Sequence, residues 1–456
     1  MKEKFFTAVS GTFESDESRS RWLIGVWTVA FGWMLCVTAP LWKHDVYFPQ
    51  IPSHSIASLL PSDTDHVFFI LLLVSLVVLA TVNLSGIRYF RFERLSRHRI
   101  WLIRSSAAMV IGMICLLVLQ NQHRFLPWVA QGVLILGGLV LFSKRDFIRF
   151  TQMLCISIYL YSAISKFDNS FVNGIGSRLF ELPAGWLGID HSIMGWLRNL
   201  LVLSFPTIEL LIGIGLCFEK TRKISVLFGI VMHVSLLLML GPFGLQNAAS
   251  VLIWNLFFVV QLPILFHQKN REARVRPENK SFNTTLPVAS FIENVDRFLP
   301  KQFGVRIIFL LVALFPMASR FNWIDHWSGW ELYASSSSYC TLKVSADEIR
   351  KLPSPIPYFM TGGEVSVISG DKDARLYVDV FGWSLRELRT PIYPQDRFQL
   401  AACVAILDKF QFKTFELILY SEANWWTGIR SSKTFYRRDE ANMFLAKYKG
   451  HTEVRE

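Results

Sequence analysis

The sequence predicts an all-α polytopic membrane helix bundle of about nine spans, the ninth weak, with a small α+β extramembrane domain at its C-terminal end. Three observations predict it. Of 456 residues, 52% are hydrophobic and only 18% charged, a balance well away from that of a soluble domain. The apolar residues gather in uninterrupted blocks, each near the ~17–25 residues that cross hydrocarbon. Basic residues concentrate in every second loop between those blocks, the pattern that retention of Lys and Arg in the cytoplasm produces.

Residues 1–21 are charged and hold no apolar core of signal-peptide length, so this segment reads as cytoplasmic and the first span as its own uncleaved signal. Apolar blocks follow at about 22–42, 66–87, 102–119, 125–142, 148–165, 200–218, 223–240 and 248–266. A ninth, Ile307 to Ser319, is short and bounded by Arg306 and Arg320; it fits a short span with snorkelling arginines or an interfacial helix. Together 22–319 form the transmembrane region. The loops 88–99, 143–149, 219–223 and 267–280 are basic, whereas those at 43–65, 121–124 and 241–247 carry almost no Lys or Arg. The N-terminus therefore reads as cytoplasmic and residues 320–456 as extracytoplasmic.

In that tail "GGEVSVI", "ARLYVDVFGW" and "FELILYS" read as strands, while "RFQLAACVAILDKF" and "RDEANMFLAKYK" have helical spacing. Cys340 and Cys403 could pair there, or stay as two buried thiols. None of the six cysteines forms a CxxC pair, so the chain offers neither a dithiol motif nor a zinc knuckle, and no metal site is expected. The net charge of +12 is spread through short loops with no phosphate-binding loop or nucleic-acid motif. Topology accounts for it; the partner it implies is the lipid bilayer, not nucleic acid.

Polar residues inside the blocks are the candidate site. Cys155, Tyr159, Ser162 and Lys166 recur at steps of four, three and four, and so share one helix face. Lys166 stands at the outer end of its span, where it reads either as a working group or as an anchor snorkelling to water beside Asp168. Glu209 lies near the middle of the sixth span, one turn after Pro206, and must be protonated or paired. His233 lies at comparable depth in the next span; the two could meet below Lys166, as catalytic groups or as a structural hydrogen bond between helices. Gln246 and Asn247 in the outer loop could line a cleft mouth or make a turn. The segment 181–200, with Trp186 and Trp196, suits an interfacial helix in the aromatic belt.

The order "YLYSAISKFDNSF", "FPTIELLIGIGL" and "MHVSLLLMLGP" over about 148–266 resembles the DoxX/MauE-like bacterial membrane proteins. It is also similar to the HTTM proteins, the wider set with a vitamin K-dependent carboxylase-like transmembrane domain, which carry a Lys in a "Y-x-x-[SA]-x-x-K" context. The first resemblance implies a multi-pass protein of the bacterial inner membrane with a periplasmic tail. It would act as a redox-linked or maturation accessory factor with a redox or periplasmic protein partner. The second implies an enzyme with Lys166 as base beside a quinone or quinol-type cofactor. From the residues themselves, Glu209 and His233 are the further catalytic candidates, and Tyr159, Ser162, Gln246 and Asn247 the candidate cofactor-binding residues. A proton-coupled transporter relaying through Glu209 and His233 is the third reading. For topology, a phosphatase fused after residue 330 is expected to be active in cells; an inactive phosphatase with an active cytoplasmic reporter at that point would reverse the orientation.

Overall fold

A computed structural model describes residues 15–43, 46–54, 56–57, 61, 64–85, 93–186, 188, 195–267, 299–300, 302–333, 335–349, 360–361 and 375–450. The chain is a multi-pass helical membrane protein with a small sheet-bearing region. The bundle helices are α1 (Asp16–Val37), α2 (Thr64–Ser85), α3 (Glu93–Gln120), α4 (Pro127–Leu141), α5 (Lys144–Ile164), the short α6 (Asn169–Asn173) and α7 (Ile175–Trp186), then α8 (Gly195–Cys217), α9 (Arg222–Leu240), α10 (Ala249–Phe266) and α11 (Phe303–Leu314). Among the described residues, eight helical runs are long and apolar enough to cross a membrane, including Phe303–Phe321, which continues α11 as a 3-10 helix.

Two blocks exchange the weights their sequences suggest. The ninth reaches span length because the 3-10 turn over Phe315–Phe321 extends it. The fourth gives only the 15-residue α4, about 22 Å at 1.5 Å per residue. Its start is fixed by Pro127 at the first helical position. The residues before it are drawn into a 3-10 turn over Gln122–Arg124 that buries Arg124 completely.

α5 is the central helix, with most of its residues buried, and it packs against α1, α4, α8, α10 and α11. Its N-terminus is capped by Ser143, which accepts from the Asp146 amide. Outer helices α2, α3, α8 and α9 keep wide apolar faces uncovered by protein, as lipid-facing helices should.

Beyond residue 320 the strands are β1 (Tyr339–Ser345), β2 (Met360–Thr361), β3 (Arg375–Val378), β4 (Phe415–Tyr420) and β5 (Ser432–Phe435). They form one antiparallel sheet in the order β2-β3-β1-β4-β5. The intervening helices are α12 (Ala346–Ile349), α13 (Val380–Trp383), α14 (Asp396–Phe410) and α15 (Arg438–Gly450), with α14 packed on β1 and β4. "FELILYS" is β4 and the two helical patterns are α14 and α15, as their periodicity predicts. "GGEVSVI" lies outside the described residues. "ARLYVDVFGW" remains a strand only to Val378, because the Asp379 side chain accepts from the Gly382 amide at 2.8 Å and starts α13. The Cys340 and Cys403 thiols touch, and both are free.

The sheet region sits on the bundle face formed by the sparsely basic loops. Arg124 anchors this junction: its guanidinium pairs with buried Asp65 and donates to the carbonyls of Leu41 and Leu117 at 3.1 Å each. Beside it, burial pushes His123 down to about 4, so the ring is neutral and its Nε2–H donates to the Pro391 carbonyl at 2.9 Å. Gln122, Tyr393 and Arg397 all converge on Asp325, at 3.0, 2.7 and 2.7 Å. The Glu387 carboxylate accepts from the amides of Tyr47 and Phe48. Replacing Arg124 with Met strands Asp65 in a dry site and is expected to cost about 3–5 kcal/mol. Thermal unfolding of detergent-purified protein should show that loss, with Asp65→Asn in the same chain recovering much of it.

Candidate functional site

One cavity of about 350 Å³ opens between α5, α8, α9, α10 and the segment 326–333 of the outer region. Its walls are mostly apolar and aromatic, including Trp128, Trp254 and Phe258. Its polar groups come in three sets.

The first set is built on the end of α5. The helix stops at Ile164, and the Lys166 amide closes its last turn on the Ala163 carbonyl at 3.0 Å. The Lys166 side chain then turns inward. It donates to Glu209 Oε2 and to Ser162 Oγ, both at 2.6 Å, and the residue is only 8% exposed. That number excludes the anchor reading, since a snorkelling lysine keeps its ammonium in water. Asp168 is no counter-charge either: its Oδ1 caps α6 by accepting from the Phe171 amide at 2.6 Å. The partner that the largely covered Glu209 requires is Lys166, not His233. α8 comes close enough for this because Gly213 faces α5; a Cβ there would lie 2.9 Å from Leu160 and 3.1 Å from Tyr159.

The second set joins three helices. Tyr159 Oη lies 2.7 Å from His233 Nε2, and His233 Nδ1 lies 2.8 Å from Asn255 Oδ1. Asn255 spends its amide on the Val251 carbonyl at 2.8 Å, so its oxygen is left to accept from Nδ1–H. Nε2 is then the bare nitrogen, and Tyr159 donates to it. The ring also stacks on Phe258, centroids 4.7 Å apart. The hydrogen bond expected between Glu209 and His233 is not made; His233 instead joins the spans through Tyr159 and Asn255.

The third set comes from beyond α11. His326 Nδ1 contacts Glu331 Oε2 at 2.5 Å while Nε2 faces Glu422 at 3.1 Å. Ser319 donates to Glu331 at 2.8 Å, and Arg320 stands 3.6 Å away. Burial favours the neutral ring, but the two carboxylates outweigh it and raise His326 to about 10. Burial likewise opposes ionisation of Glu331, and the charged His326 and Arg320 hold its carboxyl below the usual range.

Of the residues singled out in the sequence, Tyr159, Ser162, Lys166, Glu209, His233 and Asn247 line this cavity. Asn247 also donates to Tyr333 Oη at 3.3 Å. Gln246 does not belong to it: it occupies an exposed turn at φ +50° and stays outside the wall. Cys155 is buried and likewise outside the lining. Of the segment 181–200 expected as an interfacial helix, residues 181–186 end α7 and 195–200 begin the span α8, with Trp186 and Trp196 exposed; the α7 residues that line the cavity, Ile175 and Leu179, precede that segment. Asn255, His326, Glu331 and Tyr333 were not anticipated. A lone Asn in the apolar run "ASVLIWNLFFVV" was the available signal for the first; the others follow a span end, where polar residues are ordinary.

These features define a multi-pass membrane protein with an apolar cavity floored by a buried Lys–Glu pair. Comparison of the chain with protein-family models, with curated proteins and with solved structures gives no match. The His326 pairing has a pH signature. Its pKa is raised on folding from an ordinary value near 6.5 to about 10. Its stabilisation is therefore complete below about pH 6.5 and is lost as pH rises through 10. Unfolding temperatures measured from pH 6 to 10.5 should fall across that window, and His326→Gln should flatten the fall.

Proposed function

We propose that the chain is an integral-membrane enzyme that takes a lipid-soluble, ring-bearing molecule of quinol type into the cavity and moves a proton at it through Lys166. The observation that carries this reading is the Lys166 ammonium, buried against the wall of an apolar cavity. Glu209 and Ser162 take two of its three N–H groups, which leaves one for a ligand. The Glu209 carboxylate at 2.6 Å can accept a proton from Nζ and leave a neutral amine, the form a base requires. Aromatic walls at Trp254 and Phe258 suit a flat ring. Tyr159, fixed as donor to His233, turns an oxygen lone pair to the same space as an acceptor for a ligand hydroxyl.

Glu209 and His233 belong to separate hydrogen-bonded sets, one closed by Lys166 and the other by Asn255. That separation favours proton transfer at a fixed site over a relay along the bundle. In the orientation that the basic loops support, with those loops in the cytoplasm and the sheet region outside, Lys166 lies at the outer membrane face.

Titration of a quinol analogue into protein reconstituted in nanodiscs tests the reading. Lys166→Ala is expected to weaken binding at least about tenfold, the loss of one charge-assisted hydrogen bond. Lys166→Arg should bind yet fail to exchange the hydroxyl proton, because guanidinium does not release one. Unchanged binding and exchange in both variants would sink the proposal. The double change Lys166→Met with Glu209→Gln, which removes both charges, controls for a destabilised fold.

A further inference from the structure

A second opening lies on the other side of α10, a groove of about 890 Å³ bounded by α1, α2 and α10. It shares no lining residue with the Lys166 cavity. From Arg21 to Trp33 it follows α1 over about 18 Å, twelve rises of the helix. That is close to the ~15 Å depth of hydrocarbon in one leaflet. Gly25 gives the groove its width: a Cβ there would meet only Asn83 Nδ2 at 3.6 Å and Leu84 at 4.0 Å. Val29 and Trp33 continue the wall and are 68% and 52% exposed, so protein does not cover them.

One end of this apolar groove is polar. Ser15, Glu17, Ser18 and Arg21 border it at the start of α1, and Asn83 borders it near the end of α2. Glu17 lies between Arg21 at 2.5 Å and Lys144 at 2.8 Å, so both signs of charge stand at one membrane face. Asn83 is 1% exposed and donates its amide to the Arg21 carbonyl at 2.9 Å. Its Oδ1 has no hydrogen-bond partner, a costly state for a buried acceptor.

We propose that this groove binds an ethanolamine phospholipid. One acyl chain follows Gly25, Val29 and Trp33 toward the bilayer centre. The phosphate lies against the Arg21 end, and the ammonium donates to Asn83 Oδ1 beside the Glu17 carboxylate. An apolar channel of one-leaflet depth, ending in paired opposite charges and an unfilled acceptor, matches an amphiphile whose zwitterionic head carries N–H donors. A choline head has the same charges and no N–H, so the site discriminates between two lipids of one shape.

Native mass spectrometry of the full chain tests this, after equilibration in detergent with equal amounts of dioleoyl phosphatidylethanolamine and phosphatidylcholine. The ethanolamine lipid is expected to be retained about tenfold over the choline lipid, the weight of one charge-assisted hydrogen bond. Asn83→Leu should bring the ratio close to one, and Val29→Trp, which fills the channel, should lower retention of both. Glu17→Gln at the exposed end serves if Asn83→Leu does not fold, and should reduce the ratio. Equal retention by the wild type, retention of neither lipid, a dimer free of lipid, or a ratio that neither Asn83→Leu nor Glu17→Gln alters would overturn the proposal.

Discussion

A charge taken out of water is costly unless it meets its opposite, and among the described residues that constraint shapes the outer half of the molecule. Three pairs meet it there: Arg124 with Asp65, Lys166 with Glu209, and His326 between Glu331 and Glu422. Arg124–Asp65, Lys166–Glu209 and His326–Glu422 each bridge separate elements, whereas His326–Glu331 is local to one segment. Breaking any of them leaves an ion where solvation is poor, at a cost of several kcal/mol. The Arg124 pair also consumes the carbonyls of Leu41 and Leu117. It thus ties the ends of α1 and α3 to the start of α2, and supplies the platform on which His123 and Gln122 receive the outer region.

The outer region in turn completes the site. Trp425, in the turn between β4 and β5, donates to the Phe167 carbonyl and accepts from the Asn169 amide at 3.0 Å. Those contacts grip the residues that flank Lys166 and Asp168. Arg320 lies over the same indole, 4.3 Å from its centre, and reaches toward Glu331. The loop that carries Lys166 is therefore held from outside while its side chain is held from inside by Glu209. The apolar core is continuous through this junction, running from α5 and α10 to β1, β4 and α14.

Much of the membrane region was legible because hydrocarbon imposes a single requirement on every span, and apolar length reports it directly. The shared side of Tyr159, Ser162 and Lys166 was legible for a similar reason: one helix fixes the first two, and the turn that ends it keeps Lys166 close enough to donate to Ser162. Partners across helices were not. Glu209 announced that it needed one, yet choosing between Lys166 and His233 depends on how α8 is rotated and how closely Gly213 lets it approach α5. Asp168 shows the opposite case: next to a lysine it reads as a counter-charge, but the helix that begins one residue later claims it as a cap. Arg124 was read as part of a sparsely basic loop, and Asp65, its partner, lies 59 residues away. In the tail, alternation located β4 but could not order the sheet, because β1 pairs with β3 and β4 across long stretches of chain.

The double hold on Lys166 bears on how a lysine can stay buried in such a place. A lysine at the end of a membrane helix ordinarily relaxes toward water, since its stem is flexible and water is close. Here the escape route is closed. The turn after Ile164 leads at once into the α6 cap at Asp168, and Trp425 covers the Phe167 carbonyl between them. The ammonium is left with two fixed acceptors and an apolar cavity. Under the proposed reading water is the competitor of proton transfer, and the aromatic wall and the docked outer region stand where it would otherwise reach Lys166. Positioning the lysine and burying it are thus the same structural act, performed in part by a segment more than 250 residues further on.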